Sequence, residues 1–450
     1  MNDHAFMGRA LELAALGQYT TDPNPRVGSV VVRDGSIVGE GAHWRTGEPH
    51  AEIHALQAAG ELARGATVYI TLEPCSHHGR TPPCADALVA AGVGRVVVAM
   101  QDPNPLVSGR GLERVRAAGI AVETGLLEFE ARALNPGFVR RMQSGRPWVR
   151  VKLASSLDGR TAMASGESKW ITGPAARRDV QHWRARAGAI LTGSGTVLAD
   201  DPHLTVRLSP AELLADRGID TTQFPELGDM PIRQPLRVVV DSRLQIPRSA
   251  RLLDGGPVLV LTRASRADSE KADDLRRRGA EVTAVAPHAT SDTLGHLRGR
   301  RPEGSGLAEQ VDSDAPGVFQ GQGAEGLAVA GWAADQPRDA GRQDDGLAVM
   351  AGEQDSRLDL SAVLDLLGER GVNELHVEAG SGLAGALARW GLVDEWLFYL
   401  APCLMGSGAR PLLDWPLQQM AERAELDVFA CDWVGDALRL RAYPLPASTA

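Results

Sequence analysis

Five short aliphatic and β-branched runs, at 27–32, 37–40, 67–72, 95–100 and 121–124, recur through the first third of the chain. Between them, apolar positions fall at helical spacing over 4–17, 51–63, 85–91 and 112–118, and 129–142 reads as a closing helix. Strands that are apolar along their whole length must be covered on both faces. This alternation therefore predicts an α/β fold, a sheet with helices packed on either side. Asp34-Gly35 has the chemistry of a two-residue hairpin turn between the first two strands, and Pro23-Asn24-Pro25 marks a turn before them.

Ser144-Gly145-Arg146-Pro147 reads as a linker, and a second α/β run opens at 148–154. Further strands are expected at 189–192, 236–241, 258–262, 281–285, 374–377 and 395–400, with helices between several of them. A chain of 450 residues is too long for one ordinary core, so two domains are expected, 1–145 and 147–450. Residues 301–357 differ from the rest: they are rich in Gly, Ala, Asp and Gln, and repeat Gly-Leu-Ala-Val-Ala-Gly (326–331) as Gly-Leu-Ala-Val-Met-Ala-Gly (346–352). With 11 acidic against 4 basic residues, this stretch holds −7 of the formal charge of −10. Such a composition buries too little apolar surface to offset the entropy of ordering, so a disordered insert is expected.

The acidic balance argues against a nucleic-acid partner, which would call for a basic face. Residues 1–16 carry Asp3 and Glu12 and lack the long apolar core of a signal peptide, and no run of about 18 apolar residues marks a membrane span. The four cysteines, Cys75, Cys84, Cys403 and Cys431, do not form a disulfide framework. These features predict a soluble cytoplasmic protein; a small-molecule partner and a homo-oligomer are further expectations that they do not themselves establish.

Pro49-His50-Ala51-Glu52 is answered by Pro74-Cys75 and then by Pro83-Cys84, with eight residues between the two cysteines. One His and two Cys make a three-ligand catalytic zinc set that leaves a fourth position for water, whose pKa zinc lowers to about 7. The carboxylate of Glu52 is then the proton carrier and not a ligand; His-x-Glu with Pro-Cys and a second Cys is the pattern of zinc nucleobase deaminases. Residues i and i+2 do not face each other within a helix, so His50 and Glu52 share a pocket only at a helix mouth. Cys84 is likewise placed to open a helix, where free N–H groups favour a thiolate. A structural zinc is the alternative, with His43, His54, His77 or His78 as the fourth ligand, but it leaves Glu52 without a role.

Taken together, Thr21-Asp22-Pro23-Asn24-Pro25-Arg26-Val27-Gly28, His50-Ala51-Glu52 and the segment 71–84 (Thr-Leu-Glu-Pro-Cys-Ser-His-His-Gly-Arg-Thr-Pro-Pro-Cys) resemble the bifunctional riboflavin-biosynthesis deaminase–reductases, the RibD family. In that family the long loop between the cysteines is normal. The resemblance continues through the segment 151–160, Ser168-Lys169-Trp170-Ile171-Thr172, the segment 193–202 and Leu204-Thr205-Val206-Arg207. It covers nearly the whole chain except 301–357. It implies a cytidine-deaminase-like three-layer α/β/α domain followed by a dihydrofolate-reductase-like α/β domain. The implied activities are zinc-dependent deamination of 2,5-diamino-6-ribosylamino-4(3H)-pyrimidinone 5′-phosphate and NADPH-dependent reduction of the resulting 5-amino-6-(5-phosphoribosylamino)uracil.

By the resemblance, His50, Cys75 and Cys84 hold Zn²⁺ and Glu52 carries protons, while Asn24, His43 and Arg80 position the substrate. Arg80 suits a 5′-phosphate. In the second half, Glu378-Ala379-Gly380-Ser381-Gly382-Leu383-Ala384-Gly385 fits Gly-x-Gly-x-x-Gly after a strand and before a helix, a weak signal by itself. The family pattern assigns NADPH contacts to Ala154, Trp170, Thr196, Asp200, Ser242, Gly380, Ser381, Gly382, Leu383, Ala384, Gly385 and Ala386. It assigns substrate contacts to Ser168, Arg184, Leu204, Arg207 and Glu378. Two alternatives stay open: a deaminase whose second half only binds pyrimidine phosphate, and an editing protein on a deaminase fold. The second would need a basic, aromatic groove, against only 4% aromatic residues here.

Overall fold

The computed structural model describes residues 2–76, 83–224, 227, 230–288 and 357–445. The 301–357 insert therefore lies outside the described residues, apart from its last position, as do Arg80, His77 and His78.

The first sheet runs in the order β2-β1-β3-β4-β5. Its strands are β1 (Gly28–Arg33), β2 (Ser36–Ala42), β3 (Thr67–Ile70), β4 (Arg95–Val98) and β5 (Ala121–Thr124). β1 is antiparallel to β2 and β3, while β3, β4 and β5 are parallel. Around them lie α1 (Asp3–Leu16), α2 (Ala51–Ala59), α3 (Cys84–Ala91) and α4 (Arg110–Ala117). Two strand glycines set how closely the helices approach. A Cβ at Gly28 would come 1.9 Å from the Ala10 carbonyl oxygen of α1. A Cβ at Gly41 would come 2.3 Å from the Ala51 carbonyl oxygen of α2. Gly28 pairs with Ala42 and Gly41 with Ser29, so the two glycines point to opposite faces, and α1 and α2 sandwich the sheet.

The expected closing helix is two helices, α5 (Glu128–Leu134) and α6 (Pro136–Ser144). Proline has no N–H to continue a helix and disfavours a helical residue before it. Asn135 at the break instead pairs with the backbone of Arg26, accepting from its N–H at 2.8 Å and donating to its carbonyl at 2.9 Å.

The second sheet has nine strands in the order β11-β10-β9-β8-β12-β6-β13-β16-β15. β6 (Trp148–Ser156), β8 (Ala189–Gly193), β9 (Leu236–Val240), β10 (Val258–Thr262), β11 (Ala280–Ala284), β12 (Glu374–Glu378) and β13 (Glu395–Ala401) are all parallel. β7 (Arg160–Ala162) and β14 (Arg410–Pro411) form a separate pair, and β15 (Leu426–Val434) and β16 (Ala437–Pro444) add an antiparallel hairpin at one edge. The hairpin and the small pair are additions to the sequence expectation. On one face α7 (Pro174–Arg186) packs Val180 and Trp183 against Leu397 and Tyr399. On the other, helices Leu360–Glu369 and Ser381–Arg389 contribute Leu364, Leu367 and Leu387 to the main core.

The first core recruits residues from the second half. Leu214, Leu227 and Met230, between β8 and β9, are buried in the cluster built by the first sheet, with Ile219 and Phe224 packed against it. The Phe224 ring lies 6.1 Å from that of Trp44.

Candidate active sites

His50 is the N-cap of α2, in extended conformation, and Glu52 lies in the helix's first turn. The non-helical cap is what lets residues two apart face one pocket. Cys84 opens α3, and its N–H donates to the Cys75 sulfur at 3.3 Å. His50 Nδ1 stands 3.6 Å from Cys75 Sγ and 3.3 Å from Cys84 Sγ, and the three ligand atoms lie within 4.8 Å of one another. Hydrogen bonding from Cys84, then from His50, draws the Cys75 thiol well below its ordinary value against the effect of burial. Cys84, the other half of the pair, is pushed up because Cys75 and burial both disfavour a second thiolate. Two sulfurs and an imidazole nitrogen converging on one point are a soft, tetrahedral donor set that fits zinc and leaves one position open.

Glu52 completes the site. Its side chain is buried and Oε2 has no hydrogen-bond partner. Burial raises its carboxyl to about 7, with His50 opposing the rise. A carboxyl poised near neutrality beside a metal ligand can accept and return a proton. His43 is buried, with its ring edge-on to His50 at 5.3 Å between centroids. Its Nδ1 meets the Pro49 carbonyl at 3.2 Å and its Nε2 the Asn24 amide nitrogen at 3.1 Å. A carbonyl only accepts, so Nδ1 carries the proton and Nε2 accepts from Asn24. Burial holds His43 neutral, with its pKa lowered to about 4.

Sequence reasoning missed Glu73. Its buried carboxylate accepts from the N–H groups of Asp102 (3.1 Å), Gly109 (2.9 Å) and Gly111 (2.9 Å), which ties Pro74-Cys75 to the start of α4. The one available signal was an acidic residue directly before the metal-ligand dipeptide.

The second cluster lies at the C-terminal ends of β8, β9, β12 and β6, the edge where open parallel sheets bind ligands. Gly380 caps helix Ser381–Arg389 and donates its N–H to Thr196 Oγ1 at 3.2 Å, joining the loops after β12 and β8. Gly380 and Gly382 are exposed, Ser381, Leu383 and Ala386 half-buried, and Ala384 and Gly385 buried. Asp200 ends the helix Ser194–Asp200, and the Ser242 carbonyl accepts from Arg263 Nε at 2.9 Å. Ala154 on β6 stands opposite Tyr399.

Glu378 and Arg184 form a two-point pair at 2.5 and 2.9 Å, and Arg184 also donates to the Thr205 carbonyl at 3.0 Å. Arg184 is thus held by a carboxylate. The Arg207 side chain, by contrast, makes no hydrogen bond or ion pair among the described residues; its backbone N–H donates to Gln181 Oε1 at 3.0 Å. Leu204 is buried with a positive φ of 53°. Ser168 is half-buried and Trp170 70% exposed, with the Arg177 guanidinium 4.3 Å over the Trp170 ring. Trp170 is therefore a surface residue and not a core residue. Lys152, also missed, pairs in register with Glu378 on the neighbouring strand, and burial lowers its pKa. A lysine inside the apolar run Val151-Lys152-Leu153 was the signal that could have found it.

Two family models divide the chain: the cytidine and deoxycytidylate deaminase zinc-binding region matches residues 1–100, and the RibD C-terminal domain matches 147–301 and 325–434. The riboflavin biosynthesis protein RibD of Escherichia coli (strain K12) is 44% identical over 425 residues, 94% of each chain. That of Haemophilus influenzae is 40% identical over 98% of this chain and 97% of its own. Among solved structures, RibD of Acinetobacter baumannii superposes with a TM-score of 0.74 at 38% identity, covering 99% of both chains. A Thermotoga maritima protein described as a diaminohydroxyphosphoribosylaminopyrimidine deaminase/5-amino-6-(5-phosphoribosylamino)uracil reductase gives 0.71 at 28% identity over 98% of each. These likenesses span both halves and both clusters, and the chain belongs to the RibD family of riboflavin biosynthesis proteins.

Proposed function

We propose that the chain catalyses two consecutive steps of riboflavin biosynthesis, with the first cluster as the deaminase site and the second as the reductase site. The carrying observation is the convergence of His50, Cys75 and Cys84 beside a buried Glu52, one of whose oxygens has no partner, in a chain that also matches the reductase family along its second half. His50, Cys75 and Cys84 would hold a zinc ion, which would supply a water made nucleophilic near neutral pH. Glu52 takes that water's proton and delivers it to the pyrimidine, so that water enters and ammonia leaves. Asn24 and His43 form one wall of the pocket and Arg80 meets the 5′-phosphate.

In the second site Gly380 to Ala386, Thr196, Asp200, Ser242, Ala154 and Trp170 would hold NADPH, which would supply the hydride. Ser168, Leu204, Arg207, Arg184 and Glu378 hold the pyrimidine and its ribosyl phosphate. Arg207, with its charge uncommitted, is the better phosphate partner, while the Arg184–Glu378 pair offers a rigid edge to hydroxyls. Positioning dominates this step, because hydride transfer asks for no covalent protein chemistry. Residues 1–145 and 147–450 are the two domains, with 301–357 an insert. The 302–324 gap in the family match supports the insert. Val428 and Trp433, exposed on the edge strand β15, support a homo-oligomer. Four free cysteines, two of them in the metal set, fit a reducing cytoplasm.

The test is a coupled assay on the full chain. With the diaminopyrimidine substrate, NADPH oxidation should stop when zinc is chelated. With the deaminated pyrimidine supplied directly, it should continue at an unchanged rate. A chelated enzyme that still oxidises NADPH from the diaminopyrimidine would sink the reading, and so would an untreated enzyme that cannot use the deaminated compound.

A further inference from the structure

We infer that Asn373, a residue of the second half, is a positioning residue for the deaminase site in the first. It rests on reading the first cluster as a deaminase and Asn24 as a substrate contact.

Asn373 immediately precedes β12 and is buried. Its side-chain amide donates to the Pro23 carbonyl at 2.8 Å and to Asp22 Oδ1 at 3.1 Å, and its Oδ1 accepts from Arg141 Nε at 2.7 Å. The other Asp22 oxygen takes Arg233 Nη2, also from the second half, at 2.6 Å. Four residues after Asp22, Arg26 Nη2 reaches Glu374 Oε1 at 3.0 Å, and its backbone is stitched to Asn135. The turn 22–26 is thus clamped at both ends, and residues beside and within β12 provide the clamps. Asn24 stands between them. It donates to His43, whose ring lies against the metal ligand His50 and whose Nδ1 donates to the Pro49 carbonyl before it. An unbroken series of contacts therefore runs from Asn373 through the Asp22-Pro23 backbone and Asn24 to His43 and His50.

Inside the first half alone, the turn has the Asn24 N–H to Thr21 carbonyl bond (2.8 Å), the Asn135 pair and a contact from Arg26 to the Leu134 carbonyl. None of these fixes the Asp22 side chain or the Pro23 carbonyl. Those two groups are set by Asn373 and Arg233, which hold the backbone from which the Asn24 side chain reaches His43. Placing a substrate-facing side chain through a buried, fully bonded neighbour is what distinguishes a held pocket wall from a mobile loop. The same strand ends at Glu378 in the reductase cluster, so β12 is one rigid element serving both sites.

The experiment compares wild type, Asn373→Ala, Asn24→Ala and the double variant as full-length, zinc-loaded chains. Ammonia release from the diaminopyrimidine and NADPH oxidation with the deaminated pyrimidine are measured separately. Asn373→Ala should raise the deaminase KM roughly tenfold with kcat within about twofold, since two hydrogen bonds to a binding loop are lost. Reductase kinetics and zinc content should not change. Because Asn373 acts through Asn24, the double variant should be little worse than Asn24→Ala alone. An unchanged deaminase KM, additive effects in the double variant, or a parallel fall of both activities overturns the inference. If Asn373→Ala does not fold, Arg233→Ala removes the second Asp22 clamp, with an expected KM rise of about threefold. No rise there overturns it equally. A wild-type enzyme that releases no ammonia while loaded with zinc would instead refute the deaminase reading.

Discussion

The chemistry of the deaminase site is concentrated in a few side chains whose surroundings differ sharply. Glu52 is buried without a partner for one oxygen, while Glu73, equally buried, has three backbone donors within 3.1 Å. The first is a group kept reactive; the second is a brace. Removing the reactive one should abolish proton transfer without disturbing the ligands. Glu52→Gln is therefore expected to lower deaminase kcat by about 10³-fold. Zinc content should stay at wild-type level and NADPH oxidation with the deaminated pyrimidine should be intact, as metal analysis and the two separate assays would show. That His50, Cys75, Cys84 and Glu52 come together was legible in the sequence, because their types and prolines specify one local geometry. Glu73 and Lys152 were not. Their importance lies in partners far along the chain, the α4 N-terminus for one and Glu378 for the other.

At the scale of elements, α2 is the part that aims the site. It lies on β2 so closely that a Cβ at Gly41 would meet Ala51 O at 2.3 Å, Ala55 N at 2.6 Å and the His54 Cβ at 2.8 Å. All three atoms belong to the helix that carries His50 as its cap. Gly41→Ala must push that helix outward, at a cost of about 1–3 kcal/mol for an overpacked core site. The expected outcome is weakened zinc retention and reduced ammonia release, with the reductase unaffected; wild-type zinc affinity in the variant would contradict this account of α2. The strands and helices around the sheet followed from apolar periodicity with small shifts at their ends. The break at Asn135-Pro136 was readable from the proline itself. The edge hairpin β15–β16 was not, because many of its residues are only half-buried and its alternation is interrupted by a bulge between Val428 and Ala430.

Across the whole molecule, the two sheets share a layer of buried charge. Glu374 is paired with Arg26 (3.0 Å) from the first half and with Arg150 (3.0 Å) and Arg186 (2.6 Å) from the second. Glu395 is held by Arg150 at 2.8 Å and Arg441 at 2.8 Å, and its carboxyl is kept down at about 2 despite burial. Within this layer His376 is fully buried, with no hydrogen bond to either ring nitrogen, facing Glu378, Arg150, Arg184 and Lys152. Burial lowers its pKa to about 3, so the folded chain keeps it neutral while the unfolded chain protonates it near 6.5. Its contribution to stability is complete above pH 6.5 and is lost as pH falls from there toward 3, by about 1.4 kcal/mol per pH unit. The paired glutamates lose theirs only below their unfolded values near 4.5, while His43 and Glu52 titrate in the same window as His376, so its share is read from the difference between the variant and wild type. His376→Gln should therefore lose less thermal stability between pH 7.5 and 5 than wild type does. Equal losses in melting experiments would contradict this role.

The sequence by itself determined the local geometry: which segments are strands or helices, that His50 and Glu52 meet at a helix mouth, and that two cysteines beside prolines answer them. Each of these depends on spacing over a few residues, where backbone geometry leaves few choices. Only the tertiary structure decided how the halves depend on each other. Leu214 and Leu227 complete a core whose other parts lie about 75 residues earlier or more, Arg184 is committed to Glu378, Trp170 lies at the surface, and Asn373 holds the turn that carries Asn24. Those pairings join residues whose separation along the chain carries no local signal, and packing and desolvation alone select them.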